Sequence, residues 1–225
     1  MKILVICATN LELQPLQNQL QTAGINMNNL VFHVSGVGIL VSGFGIQQAI
    51  LKHQPTFIIQ AGIAGSFSKK LAIGSVVLVG KDAVADEGVV ENKQWKTRWD
   101  LQLADKNNFP YNDGWLVNNF LQQYKPSFLP IVNGITVNCI STNKTTIATY
   151  KKIYHPMVES MEGASLHYNC LQYNIPFFQI RSISNYVGER NKDFWNIPLA
   201  LKNLAVKTVN LIIWLNQQPP TTFNC

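Results

Sequence analysis

A chain of 225 residues, 47% hydrophobic and 13% charged, can fill one substantial core, and no composition shift marks a linker, so a single α/β domain over 1–225 is expected. The net charge of +6 is dispersed, with lysine pairs only at 69–70 and 151–152. Without an RRM-like or zinc-finger motif, nucleic acid is not an expected partner; a mild field for an anionic small substrate and a generic surface excess both stay open.

No apolar run approaches the roughly 20 residues of a membrane span, and Met1–Cys7 is too short and strand-like for a signal peptide. A cytoplasmic protein without membrane contact is expected. Four cysteines (Cys7, Cys139, Cys170, Cys225) lack CxxC spacing and four histidines (His33, His53, His155, His167) lack a ligand cluster. They read as small buried thiols and ordinary imidazoles, with neither metal nor cofactor expected.

Residues 2–8 read as a buried strand, and Thr9-Asn10 caps a helix from about Leu11 to Ala23. Pro15 requires the first turn to start near Leu13, and Glu12 is an acid favoured there by the helix dipole. A strand at 31–35, the turn Gly36-Val37-Gly38 and a helix from about Ile39 to His53 follow. The glycines lack GxGxxG spacing and no acid follows to hold a ribose, which argues against NAD; close helix–strand packing suffices. Phe57–Ala61 reads as a third strand, ending in a loop, Gly62-Ile63-Ala64-Gly65-Ser66. There the backbone either approaches a ligand or makes a tight turn.

Residues 86–115 read as a long polar loop, kept from disorder by Trp95, Trp99 and Trp115. A helix is expected over 114–124 and a strand over 133–140, leading into Ser141-Thr142-Asn143. From Met161-Glu162 the pattern is helical to Asn174, which makes Glu159 a surface acid one turn earlier. Pro176 then breaks the helix, and Phe177–Ile180 is a buried strand ending in Arg181 and Ser182-Ile183-Ser184-Asn185. Ligands of α/β sheets sit at strand ends, so a carboxylate, a guanidinium and an amide converge. Residues 197–216 close the chain as an amphipathic helix, with a tail over 217–225.

Met161-Glu162, a helix, a proline-led strand, then Arg181-x-Ile183-Ser184-Asn185 resembles the purine nucleoside phosphorylase and nucleosidase superfamily. Within it, Ser182-Ile183-Ser184-Asn185-Tyr186-Val187 followed by Arg190-Asn191 is most similar to the futalosine hydrolases. Asp100-Leu101, Leu103 and Phe109-Pro110-Tyr111 resemble them too, with Trp99 in place of a phenylalanine, and residues 73–79 resemble the superfamily's x-Gly-Asp-Val-Val strand. With the βα alternation, the resemblance implies a three-layer α/β/α domain with a central mixed sheet. It also implies a homo-oligomer, with sites near subunit contacts. The implied reaction is hydrolysis of the N-glycosidic bond of futalosine, releasing hypoxanthine, in an alternative menaquinone pathway.

The resemblance also implies site residues. Glu12, from Ala8-x-x-x-Glu12, would orient the attacking water; Glu162 would bind the ribose hydroxyls, with Met161 beside it. Gly62, Ile63 and Ala64 would line the ribose and nucleophile pocket, and the Ser141-Thr142 loop would hold the purine. Asn185 would read the base. Arg181 would orient Glu12, water or a sugar hydroxyl, or else make a salt bridge at a strand end. Arg190 or Lys192 would face the carboxylate on the 5′ side, or solvent. The three tryptophans would pack, contact a second subunit, or stack on the substrate's carboxyphenyl group.

Phosphorolysis is disfavoured, because Cys7-Ala8-Thr9-Asn10 has neither the Gly-Asp-Pro nor the arginine of that branch and Glu12 would repel phosphate. Methylthioadenosine/adenosylhomocysteine nucleosidase is the competing enzyme, with aspartate where Asn185 stands and commonly serine where Ile63 stands. A non-catalytic nucleoside-binding protein would have lost Glu12 or Glu162.

Overall fold

Every residue of β1 (Ile3–Cys7) is fully buried, as befits a strand covered on both faces. The computed structural model describes residues 1–189 and 191–218. After β1 come α1 (Asn10–Thr22), β2 (Leu30–Val34), α2 (Ile39–His53), β3 (Phe57–Ser66) and β4 (Val76–Asp82). A hairpin of β5 (Gly88–Glu91) and β6 (Gln94–Thr97), then β7 (Tyr111–Asn112) and β8 (Trp115–Val117), precede β9 (Ile131–Thr136). The chain finishes with α3 (Lys144–Tyr154), β10 (Val158–Ser160), α4 (Gly163–Gln172), β11 (Phe177–Tyr186) and α5 (Ile197–Asn216).

The main sheet runs β2-β1-β3-β10-β9-β4-β8-β7, with β11 pairing both β3 and β4. Five strands, β3, β11, β4, β9 and β10, therefore close into a ring of pairings. Alternation along β1 assigns the helix layers. Ile3, Val5 and Cys7 pack with Leu16 of α1 and Ile212 of α5, and Leu4 and Ile6 pack with Ile46 of α2 and Leu166 of α4. The expected mixed sheet between helix layers stands; its closure rests on pairings between residues far apart in sequence.

Several local expectations are corrected. The Gly62–Ser66 segment is the second half of β3 rather than a loop, and β11 continues through Arg181 and Asn185 to Tyr186. Each strand has a neighbour on both sides in the ring, so the pairing continues past the point where apolar character fades. Residues 158–160 form a strand, and α4 starts only at Gly163. β9 stops at Thr136. Over 114–124 there is no α-helix: Leu116 is buried between half-buried Trp115 and Val117, a period of two, and a 3-10 turn follows over Asn119–Gln122. α1 starts at Asn10, which leaves Pro15 inside it.

Cys139 is exposed, unlike Cys7 and Cys170. α5, at 20 residues and mean hydropathy 1.3, meets the length and composition of a membrane span, contrary to expectation. It nonetheless buries Leu204, Val209, Ile212 and Leu215 in the core. Of the expected tail, 219–225 lies outside the described residues.

Candidate active site

A cleft of about 260 Å³ opens where β1, β3, β10 and β11 meet. Glu12, Ile63, Met161, Glu162 and Asn185 line it, as do Gly65, Glu159 and Trp195. Five residues singled out from four separate stretches of sequence thus share one cavity.

Glu12 stands in the first turn of α1, its Oε2 accepting from the Thr9 N–H at 3.1 Å and the Thr9 hydroxyl at 3.2 Å. Its Oε1 accepts from the Ile63 N–H at 3.1 Å, across on β3. Three donors fix the carboxyl, and the helix dipole favours it. Burial pushes its pKa up; the Arg181 charge and the Ile63 N–H oppose this, and the Glu162 charge adds to the rise. A carboxylate so placed can accept a proton from water.

Arg181 is 1% exposed, and none of the ion pairs among the described residues includes it. Of the two alternatives for Arg181, the strand-end salt bridge is not formed among the described residues: the side chain is buried, with the Glu12 charge nearby. Its register partner on β3 is Gly62, where a Cβ would lie 2.3 Å from Nη1 and 3.1 Å from Glu12 Oε1. Glycine leaves the room that the guanidinium occupies. Gly62 and Ala64, expected to line the pocket, do not line this cleft.

Gln60 joins the two halves of the site. Its Oε1 accepts from Arg181 Nη2 at 2.5 Å, and its Nε2 donates to the Glu162 carbonyl at 3.3 Å. Glu162 precedes α4, and its Oε1 accepts from the Gly38 N–H at 3.1 Å. Gly38 has φ 87° and ψ 161°, a region essentially reserved for glycine. The Gly36-Val37-Gly38 turn therefore holds a carboxylate as well as packing a helix.

Asn185 follows a register shift in β11: Ile183 pairs with Ala64, and Asn185 pairs with Gly65. Its Oδ1 accepts from the Ser184 hydroxyl at 2.8 Å, and its Nδ2 donates to the Tyr186 carbonyl at 3.1 Å. The carbonyl fixes the amide's orientation, and each end keeps one site for a ligand.

Below the cleft is a second polar group. Asp82 is fully buried; its Oδ1 accepts from Thr136 Oγ1 at 2.8 Å, which itself accepts from the Ala164 N–H at 2.8 Å. His167, also fully buried, bonds the Leu116 carbonyl through Nδ1 at 2.9 Å. This chain fixes the first turn of α4, and with it Glu162.

Other expected positions fall elsewhere. Ser141 is buried but gives its N–H to Glu159, Thr142 is exposed, and neither lines the cleft. Trp95, Trp99 and Trp115 do not line it either. Trp99 stacks edge-on with Tyr111 and lies beneath the Arg98 guanidinium, and Trp115 packs on Tyr154 and under Lys81. Arg190 and the Lys192 side chain lie outside the described residues.

Glu159, Gln60 and Trp195 are site residues the sequence did not disclose. Glu159 is 6% exposed and sits on a strand too short for any period to emerge. Gln60 is one polar residue in an apolar run, and that incongruity was its only signal.

Residues 2–213 match the family model described as the phosphorylase superfamily. A 5′-methylthioadenosine/S-adenosylhomocysteine nucleosidase of Buchnera aphidicola subsp. Baizongia pistaciae is 27% identical over 94% of this chain and 89% of its own. A futalosine hydrolase of Thermus thermophilus is 24% identical over 90% and 91%. The crystal structure of the Neisseria meningitidis 5′-methylthioadenosine/S-adenosylhomocysteine nucleosidase with methylthio-immucillin-A superposes with a TM-score of 0.74, at 17% identity over 94% and 99% of the two chains. At that identity the superposition shows a common fold.

Proposed function

The chain belongs to the phosphorylase superfamily, and from that premise we propose that it hydrolyses the N-glycosidic bond of futalosine, releasing hypoxanthine, in an alternative menaquinone pathway. The carrying observation is one cleft lined by the carboxylates of Glu12, Glu159 and Glu162 and by an amide with a free donor and a free acceptor position. Its relatives are nucleosidases, so hydrolysis of an N-glycosyl bond is the chemistry to account for. Leaving of a purine generates a cationic sugar and an anionic base, and catalysis must stabilise both while positioning water. Glu162 stabilises the sugar cation and accepts from the ribose hydroxyls beside Met161. Glu12, its pKa raised by burial, takes the proton of the attacking water, with Arg181 behind it as a positioning residue. As the bond breaks, purine N7 takes up a proton from solvent water and becomes a donor beside the O6 acceptor. The Asn185 oxygen accepts the first and its NH₂ donates to the second.

A second reading, methylthioadenosine/adenosylhomocysteine nucleosidase, is favoured by the relative that is 27% identical over 94% of this chain. Aspartate suits a 6-aminopurine because it accepts from both N7–H and the amino group, whereas an asparagine NH₂ meets that amino group as donor against donor. Hypoxanthine release from futalosine, set against adenine release from methylthioadenosine, separates the two. Faster adenine release would overturn the first. We also propose a homo-oligomer, for which the exposed apolar stripe of Leu40 (85%), Val41 (55%) and Phe44 (61%) on α2 provides a face. Sedimentation as a monomer at micromolar concentration would remove that reading.

A further inference from the structure

On β3, Gly65 has Glu159 of β10 as its register partner on one side and Asn185 of β11 on the other. Directly opposed residues of neighbouring strands point to the same face. Two strand spacings separate the outer Cα atoms by roughly 10 Å. All three residues line the cleft. Gly65 places no side chain between them, and a Cβ there would lie 3.1 Å from Val187 Cγ2 and 3.4 Å from Asn185 Nδ2.

The Glu159 carboxyl is held by Ser141 alone, whose N–H bonds one oxygen and whose hydroxyl lies close enough to favour the ionised form. Its Oε1 accepts from the Ser141 N–H at 3.0 Å, while its buried Oε2 has no hydrogen-bond partner. An unpartnered buried carboxylate oxygen is costly unless something supplies a donor. Elsewhere in the cleft Glu12 has three donors, and Glu162 has Gly38 on one oxygen and the ribose hydroxyls of the proposed reaction on the other, so Glu159 is the acid with an oxygen left for the base.

We infer that Glu159 is a base-selecting residue whose free Oε2 accepts a hydrogen bond from the N1–H of a 6-oxopurine lying over Gly65. The inference rests on the proposed purine nucleoside activity. O6 of such a base lies between N7 and N1, so Asn185 reads the N7–O6 edge while Glu159 reads its neighbour. N1 carries a hydrogen in a 6-oxopurine and a lone pair in a 6-aminopurine, so a carboxylate here rejects the latter. The Ser141 loop acts on the base through Glu159.

Glu159→Gln is the informative substitution, because the Ser141 N–H claims the amide oxygen and turns the NH₂ into the place of Oε2. An acceptor thereby becomes a donor without change of shape. The assay compares kcat/KM for futalosine and for its 6-amino counterpart, at pH 8 so that the carboxyl is ionised. Wild type should favour futalosine, and Glu159→Gln should lower that ratio tenfold or more, the scale of one buried donor facing another.

A test free of any variant uses wild-type enzyme, with 1-methylhypoxanthine expected to inhibit at least tenfold more weakly than hypoxanthine. Equal inhibition by the two bases, or an unchanged ratio in a folded Glu159→Gln that still prefers futalosine, would overturn the role of Glu159 and leave the 6-oxopurine reading standing. A wild type that prefers the 6-amino counterpart would overturn that reading too.

Discussion

Two parts of the molecule hold their charges in opposite ways. In the cleft, Glu12, Glu162 and Glu159 each accept from a backbone N–H contributed by a distant segment: Ile63, Gly38 and Ser141. In the 86–118 segment Asp86, Asp100 and Asp105 also accept backbone N–H groups, but three pairs bind side chain to side chain: Lys106 with Asp113, Arg98 with Glu87, and Lys96 with Glu91. A backbone donor cannot swing away, so its acceptor stays fixed in direction even when a ligand arrives, the condition for electrostatic preorganisation. Exposed side-chain pairs sacrifice rotamer freedom and are screened by solvent, so they contribute little. Precision is concentrated where the backbone is the partner.

The largest expected effect breaks this contrast at its strong end. Glu12→Gln and Glu162→Gln should each lower turnover on the order of 10²-fold or more, with the circular dichroism spectrum and melting temperature close to wild type. Near-normal turnover in either variant would remove that residue from the chemistry.

Next in size is an effect from beneath the cleft. Burial pushes Asp82 up to about 6, against the opposing influence of Thr136, Gln179 and Arg181. The folded state then binds this proton more readily than the unfolded chain, so the group costs stability as pH rises from about 4 to about 6. Burial pushes His167 down to about 4. Its stability contribution is present above about pH 6.5 and lost as pH falls towards 4. The two slopes oppose one another. Asp82→Asn removes the first, so between pH 6.5 and 4 the variant should lose about 3 kcal/mol more than wild type in urea titrations. Parallel curves would exclude Asp82 from this balance.

Smaller again is Asn185→Asp, which should shift kcat/KM towards 6-aminopurine nucleosides by about tenfold or more. If both activities fall together, the amide is not reading the base. At the weak end, Lys106→Ala removes an exposed pair and should leave melting temperature and turnover unchanged within error. A clear loss of either would dissolve the contrast between the two regions.

Much of the fold was legible because long periodic stretches carry it: α2 spans Ile39–His53, as the spacing predicts, and β1 is apolar throughout. Glu12, Glu162 and Asn185 were recognisable because each sits in a short run resembling a known superfamily. Ring closure was not legible, since β3, β10 and β9 meet through partners more than 20 residues apart. Glu159 was misread as a helical surface acid because a strand of three residues has no detectable period. The helix expected over 114–124 failed because Trp115 to Val117 is too short to distinguish a period of two from one of 3.6.

We propose that the cleft delivers water to the anomeric carbon of a purine nucleoside. Futalosine should therefore be turned over in ¹⁸O-labelled water, with and without phosphate, and the products weighed. One label in the released sugar product, none in hypoxanthine, and a rate indifferent to phosphate is the expected result. A phosphorylated sugar, or a rate that rises with phosphate, would contradict it.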